Sequence, residues 1–596
     1  MAYIDFKKAG TESALGLQLV SLTGYEEISE LFKYDLVLKS EDSKLIAPTD
    51  LIGRDISIRV DYFEDLGKAN DEDVRYIHGI VNCFTILNVD GFNSGPDRSG
   101  EASTRYYALE LVPSLWLLTK KSYFRIYQEL SSDKIVEKIL GDYNISSDIP
   151  GGKVTRENCV QYLETDYDFV TRLLDNEGFI FYFEHSKDGH EIVITETSQY
   201  LDAGELRLGY EVSNWSPSFN FISGKWVCHD NSYEEKFDKK NQSEKSKIDG
   251  LNNNKFSRIL TTNNIGCDAE DSVLTAQAEL FAGREDTRYE VVSLSSNSKN
   301  ICAGTNFTLD GIKEYSEFSG SNLVVIKATH EMNAGNVYSN EMTCIPGKCR
   351  YWGKGLIEAP DVRGAMTATV IENTDPKELG RVKVAFFGEE GDNDTTSGWV
   401  RVTQIFGGSF RGAMFTPEID DEVLVDFLNG NPDRPLITGS IYNGTNIPQR
   451  GNDGEYFTST RNGFVTPAGE LYFHDEDSKE MFHIRANKDC EKDVIENDRL
   501  TIGGKLETKI TGDEDKEVLE GDKKTKVSKG EVELESTEKN IKMKTGKNTE
   551  IDADKLKSYI EEIISTEDRI KLSEERIGIM ERKLKQIASL ILPAKQ

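Results

Sequence analysis

The sequence predicts a mainly β chain of several domains, with an OB-type barrel in its middle, an intertwined β-helix rod after it and an α-helix near its end. Three observations carry that expectation. The chain has 596 residues, enough at ~100–200 residues per domain for roughly three to five domains. Short β-branched and aromatic runs bounded by Gly, Pro, Asn or Asp recur through residues 360–445. The last 106 residues hold one aromatic, Tyr559, and one proline, Pro593, although the whole chain has 24 Tyr and 27 Phe. A globular domain of that size needs large rings to fill its centre, so this tail is disordered or fibrous.

In residues 1–355, Gln161–Phe183 reads as a cap, a helix, a glycine stop and a buried strand. Thr165 and Asp168 make the capping pair, and Gly178 sits where a left-handed residue ends a helix. A second helix is expected near Asp133 to Leu140. His78, within Tyr76–Val81, reads as a packed strand residue.

In residues 356–447 the strands are Met366–Ile371, Arg381–Phe387, Gly398–Val402 and Glu422–Phe427. That number of strands in so short a span fits a small Greek-key barrel. Single-strand binding by such a barrel needs a basic groove with stacking aromatics. Glu389, Glu390, Asp392, Asp394, Glu418, Asp420, Asp421 and Glu422 argue against it. Residues 448–490 connect the barrel to the rod.

Residues 491–553 alternate. Lys505–Ile510 and Glu531–Glu535 place Leu506, Ile510, Val532 and Leu534 on one face, and Ile541 and Met543 continue the pattern. Glycines at Gly504, Gly512, Gly521, Gly530 and Gly546 punctuate these runs. Regular short strands with turn glycines mark a solenoid or strands wound about a shared axis. One copy buries too little to offset the ordering entropy of ~1–2 kcal/mol per residue, whereas several copies enclose an axial core. The alternative is a solvated, charge-rich linker. In residues 554–596, Leu556, Ile563, Ile570, Ile577, Leu584 and Ile591 recur every seventh residue, as in a coiled-coil strand. An amphipathic helix packed along a neighbouring surface is the alternative.

Charge bounds the partners. Asp+Glu number 104 and Lys+Arg 71, a net −33, which disfavours nucleic acid and an anionic membrane surface. No apolar run approaches the ~18 residues of a spanning helix, and the start Met1–Phe6 has no secretory signal pattern. The eight cysteines are mostly far apart and fit a reducing compartment. Cys344 and Cys349 could form half a zinc site, but a second ligand pair is missing, so buried thiols are expected and neither a metal nor a cofactor.

Several stretches together resemble the VgrG family, the trimeric spikes of type VI secretion and related contractile injection systems. They are Gly380-Arg381 through Phe386, Trp399–Val402, Asp426–Gly439 with its Pro432-Asp433-Arg434-Pro435 run, Tyr442–Gly444, Tyr76–Val81, Leu109–Leu118, Ile126–Gln128 and Asp166–Phe183. Pro432 and Pro435 read as a stiff corner in which Asp433 and Arg434 cap or pair locally. The resemblance spans nearly the whole chain in the order hub, barrel, needle. It implies a phage tail hub-like domain over 1–355, made of two β-barrel-like subdomains with helical inserts.

Enzyme motifs fail on inspection. His330-Glu331 begins like a zincin helix, but Ala334 stands where the second His belongs. Gly407-Gly408-Ser409-Phe410-Arg411 has Arg where a nucleophile elbow needs Gly. About 40 residues separate Asn443 from the charged tail, too few for the lysozyme insert of phage relatives. The last histidine is His483, so the iron-binding His cluster at some relatives' needle tips is not carried over.

The resemblance therefore implies a non-enzymatic homotrimeric spike. It is expected to cap a hexameric tube, dock on baseplate proteins, carry a PAAR-type tip or effectors and touch the target membrane transiently. Such a protein is made and assembled in the bacterial cytoplasm and leaves it with the machine. The alternatives are a trimeric adhesive or receptor-binding fibre, and a hydrolase in the first 355 residues using His185, His190 or His330.

Overall fold

The computed structural model describes every residue except 1–3, 7–16, 41–44, 61–74, 88–104, 146, 153–154, 197–199, 232–238, 249–256, 262–270, 314, 316–320, 334–336, 350–356, 388–394, 452, 479, 543, 545, 547–553 and 592–596. Two compact units result, Met1–Asp489 and Cys490–Gln596.

Alternation builds the first unit. In Lys33–Ser40, Tyr34, Leu36 and Leu38 point inward while Lys33, Asp35 and Val37 are less buried, giving one apolar face per strand. Such strands join into a twelve-stranded sheet. Its order runs Ile4–Phe6, Asp55–Val60, Arg75–Leu87, Arg105–Val112, Lys33–Ser40, Leu17–Glu27, Asn322–Met332, Tyr338–Pro346, Glu290–Ser296 and Val212–Phe219, with Thr305–Asp310 and Leu201–Arg207 attached off this path. Leu17–Glu27 meets Asn322–Met332 in antiparallel register, with Leu22 opposite Met332, so strands distant in sequence close one sheet.

Helix α1 (Ser132–Asp142) and helix α2 (Asp166–Glu177) cover the core with Ile135, Val136, Ile139, Leu140, Phe169, Val170, Leu173 and Leu174. The α2 boundaries fall where the sequence places them. Thr165 Oγ1 accepts the Asp168 N–H at 3.1 Å, and Gly178 ends the helix at φ 79°. Helix α3 (Asp271–Tyr289) packs Leu274, Ala278 and Phe281 against Trp226.

Residues 366–441 form a five-stranded sheet ordered Lys383–Phe386, Met366–Glu372, Glu422–Phe427, Pro435–Ile441 and Arg401–Val402. Bridges from Val400 to Val382 and from Thr396 to Ala385 join the two edges, so the sheet closes as a barrel. Closure removes the free edges. A three-stranded meander follows, Arg461–Thr466, Gly469–His474 and Met481–Ala486.

The second unit begins as a bent, extended chain. Bends start at Asn487, in the last residues of the first unit, and then at Ile495, Gly503, Thr511, Leu519, Ser528 and Thr537, eight or nine residues apart. Among the described residues of 487–546 there is neither helix nor strand, so the alternating segments hydrogen-bond into no ladder of their own chain. A ladder needs neighbours, and successive segments of one copy are not placed side by side. Helix α4 (Asp554–Ile591) completes the unit.

Candidate functional site

Barrel and body share one core. The hairpin Ser122–Ser131/Thr155–Thr165 buries Ile126 and Val160 among the barrel residues Val370, Val384, Val400, Val423 and Ile437, with Phe124 and Tyr162 packed against them. Phe124 meets Phe386 edge-on at 5.4 Å. Burying a side chain of this size is worth about 1.5–3 kcal/mol, which makes the hairpin a structural part of the barrel.

Polar contacts fix the register of that junction. Asp433 Oδ1 accepts the Val160 backbone N–H at 2.6 Å, Asn158 Oδ1 accepts the Gly398 N–H at 2.8 Å, and Gln128 Nε2 donates to the Thr396 carbonyl at 2.7 Å. From α2, Arg172 donates to the Val160 carbonyl at 3.0 Å and to Glu164 at 2.6 Å. Arg434 grips Asp230 at 3.0 and 3.1 Å. Burial raises the Asp433 carboxyl above its ordinary range, against the pull of Arg172 and the Val160 N–H.

These contacts correct one expectation. Asp433 and Arg434 do not pair within their corner; both reach into the body. The local pairing comes from Asn431, whose Oδ1 accepts the Asp433 N–H at 2.9 Å, while Pro435 opens the strand Pro435–Ile441 and Pro432 stands before Asp433. Gly380 has φ 70°, and a Cβ there would meet Met414 Cε at 2.6 Å. Arg381 is buried on Asp375 at 2.9 Å and faces Glu157 at 3.7 Å. The Lys383 ammonium lies 4.8 Å from the Trp399 ring centre. Asn158, Val160, Arg172 and Asp230 are the junction residues the sequence reading missed. Asn158 and Val160 lie in the 158–161 strand segment, which is buried on both faces, and alternation does not predict such burial.

A second buried cluster ties the halves of the large sheet. Arg75 Nη2 donates to Glu26 at 2.6 Å and to Tyr34 Oη at 2.9 Å, and Arg75 Nη1 donates to the Ile301 carbonyl at 2.9 Å. Tyr34 also bonds Glu26, and the Ala303 N–H donates to Glu26 Oε2 at 3.1 Å. Burial pushes the Glu26 carboxyl up, but Arg75 and His330 outweigh it and hold it below the usual range. His330 Nδ1 lies 2.7 Å from Tyr338 Oη.

The histidines of the hydrolase alternative belong to this interior. His190 Nε2 accepts the Ser114 backbone N–H at 2.8 Å and lies 3.0 Å from Ser114 Oγ. Its proton therefore sits on Nδ1, facing His78 Nδ1 at 3.0 Å. Burial lowers His190 to about 3 and His185 to about 4. A ring with its acceptor nitrogen occupied and so low a basicity is a poor proton acceptor for Ser114 at neutral pH. Cys344 is buried and Cys349 half-buried, and burial raises both thiols. Among the described residues no His, Cys, Asp or Glu cluster could hold a metal ion.

In the second unit the expected apolar face is solvent-exposed in the single chain: Leu506, Ile510, Val532, Leu534 and Ile541. Met543 lies outside the described residues. Ile570, Ile577 and Leu584 line one exposed face of α4, whereas the side chains of Leu556, Ile563 and Ile591 lie outside the described residues. No described helix is long and apolar enough to cross a membrane.

The chain thus combines a twelve-stranded sheet, a strand pair that shares its core with a closed barrel, and a regularly bent, aromatic-poor segment. The family described as the phage tail baseplate hub matches residues 25–336, and the type VI secretion system/phage-baseplate injector OB domain matches residues 366–442. The chain belongs to the phage tail baseplate hub family. It is 28% identical to the type VI secretion system spike protein VgrG1b of Pseudomonas aeruginosa, over 84% of this chain and 69% of that one. It is 27% identical to the actin cross-linking toxin VgrG1 of Vibrio cholerae, over 79% of this chain and 44% of that longer one. An E. coli component of the type VI secretion system, itself similar to the T4 bacteriophage tail proteins gp27 and gp5, superposes with a TM-score of 0.52 at 20% identity, over 74% of this chain and all of that one. The resemblance to VgrG and the mainly β fold read from the sequence are borne out.

Proposed function

We propose that this chain is the homotrimeric, non-enzymatic spike of a contractile injection system. The body and barrel (1–355 and 356–447) cap the hexameric tube and dock on baseplate proteins. Residues 448–490 lead into a needle of residues 491–553, closed by the helix of 554–596. The needle carries a PAAR-type tip or effectors and crosses the target membrane when the machine fires, so the protein leaves the cell as a machine part.

The observation behind this reading is the bend every eight or nine residues from 487 to 539, with the alternating apolar residues between bends left in solvent. A chain turned at fixed intervals winds around an axis. Three such chains would hydrogen-bond to one another and bury Leu506, Ile510, Val532, Leu534, Ile541 and Met543 in the middle. Load then passes from needle to body through the barrel, which the Asp433 and Arg434 contacts hold to the hairpin and to Asp230. Kinship with proteins named as spikes supports the role.

Light scattering on the full chain and on a variant lacking residues 491–596 tests it. The full chain is expected at three times its monomer mass and the truncated one at lower mass or as a dissociating trimer. A full-length monomer overturns the proposal, and a stable truncated trimer moves the trimer clamp into the body.

A further inference from the structure

We propose that helix α4 docks on the same helix of other copies as a parallel, in-register coiled coil. The proposal rests on the self-association argued above and adds the orientation and register of its last segment. With Leu556, Ile563, Ile570, Ile577 and Leu584 as a positions, the d positions are Tyr559, Thr566, Ser573, Met580 and Ile587. Ile570, Ile577, Met580, Leu584 and Ile587 are all at least half exposed in the single chain, so this seam is uncovered in its own unit.

The polar residue at the middle d position is compatible with a closed seam. The Ser573 hydroxyl donates to the Arg569 carbonyl at 2.7 Å, so it enters the interface already satisfied by its own helix.

The flanking charges select the partner. Central e positions are Glu567, Glu574 and Glu581, and central g positions are Arg569, Arg576 and Lys583. In a parallel pair each g residue faces the e residue five positions later on its neighbour, and such pairs set orientation. Arg569 then meets Glu574 and Arg576 meets Glu581. An antiparallel pair would set g against g and e against e, cation on cation and carboxylate on carboxylate. Glu562 facing Glu567 is the one like-charged contact of the parallel arrangement. One stripe of each sign on either side of an apolar seam makes this helix complementary to itself in one direction. A neutral protein groove would use neither stripe.

Full-length protein with Cys83, Cys267 and Cys490 replaced by serine provides the test. Ile563→Cys and Leu584→Cys are introduced separately, with Glu575→Cys at an outer f position as control. Under mild oxidation, both seam variants should form interchain disulfides in more than half of the chains, and the control should link several-fold less. An antiparallel pair permits self-linking at one level only. A trimer by light scattering that links at neither or one seam position, or equally at the control, overturns the coiled coil and leaves the spike reading standing. A monomer overturns both. As a second readout, Arg569→Glu and Glu574→Arg should each cut linking at position 584 at least twofold, and the double exchange should restore it. These two residues are five apart and do not touch within one helix, so failure of that rescue also overturns the parallel register.

Discussion

Asp433 of the barrel accepts the backbone N–H of Val160 in the body's hairpin at 2.6 Å, across 273 residues of sequence. Val160 sits in the barrel's apolar core while its own strand belongs to the body. One side chain thus fixes where a body strand enters the barrel.

Asp433→Ala should destabilise the body–barrel unit by about 2–4 kcal/mol, because it strands a buried N–H and leaves Arg172 short of countercharge. Asp433→Asn should cost less, since its carbonyl oxygen still accepts from Val160. Urea unfolding followed by tryptophan fluorescence, with Trp399 in the barrel as reporter, measures both. Equal losses for the two variants would show that the hydrogen bond is unimportant beside the charge.

The body should be acid-sensitive, through the two-stranded sheet Ile180–His185/His190–Thr195 that packs into its interior. Burial depresses His185 to about 4 and His190 to about 3, below the ~6.5 of an unfolded histidine. Between those values the unfolded chain binds protons that the folded one refuses, so stability falls as pH drops from about 6.5 towards 4. Thermal melts across that range should show the decline, and His190→Gln should flatten part of it. A melting temperature independent of pH through this window contradicts the buried neutral rings.

Legibility in the sequence followed the range of the interactions. Thr165, Asp168 and Gly178 delimit α2 because capping is settled within a few residues. Four of the five barrel strands were readable for the same reason, since β-branched runs and their turns are local, but Pro435–Ile441 was read as part of a corner. Asp433 was misread. Its Asp-Pro-rich neighbourhood suggests a self-contained corner, yet its partner Val160 is set by tertiary packing that no local pattern encodes. The twelve-stranded sheet hid likewise behind pairs such as Leu22 with Met332. In residues 487–546, the glycines at 504, 512, 521 and 530 announced their bends, but those starting at Asn487, Ile495 and Thr537 carry no glycine and went unseen.

Backbone conformation at two rod bends should limit assembly. Gly521 has φ 102° and Gly530 φ 114°, a region in which an L side chain costs about 1–3 kcal/mol. In a threefold rod each substitution acts three times. Gly530→Val should therefore lower the temperature at which SDS dissociates the oligomer, and Gly503→Ala, whose φ is not positive, should lower it less. Identical behaviour of the two variants would mean that the bends are not structural corners.

The final test separates the two faces of one rod segment. Val532 and Leu534 alternate with Glu531, Glu533 and Glu535, so period-2 geometry sends the two sets to opposite sides. If three copies share an axial core, Leu534→Asp places three carboxylates together in an apolar interior, where an unpaired charge is severely destabilising. Glu533→Ala removes a solvated charge from the outside and should be nearly neutral. Sedimentation velocity on the two variants should give dissociated chains for Leu534→Asp and intact oligomer for Glu533→Ala. A solvated linker would tolerate both changes alike, because neither face of it has an inside.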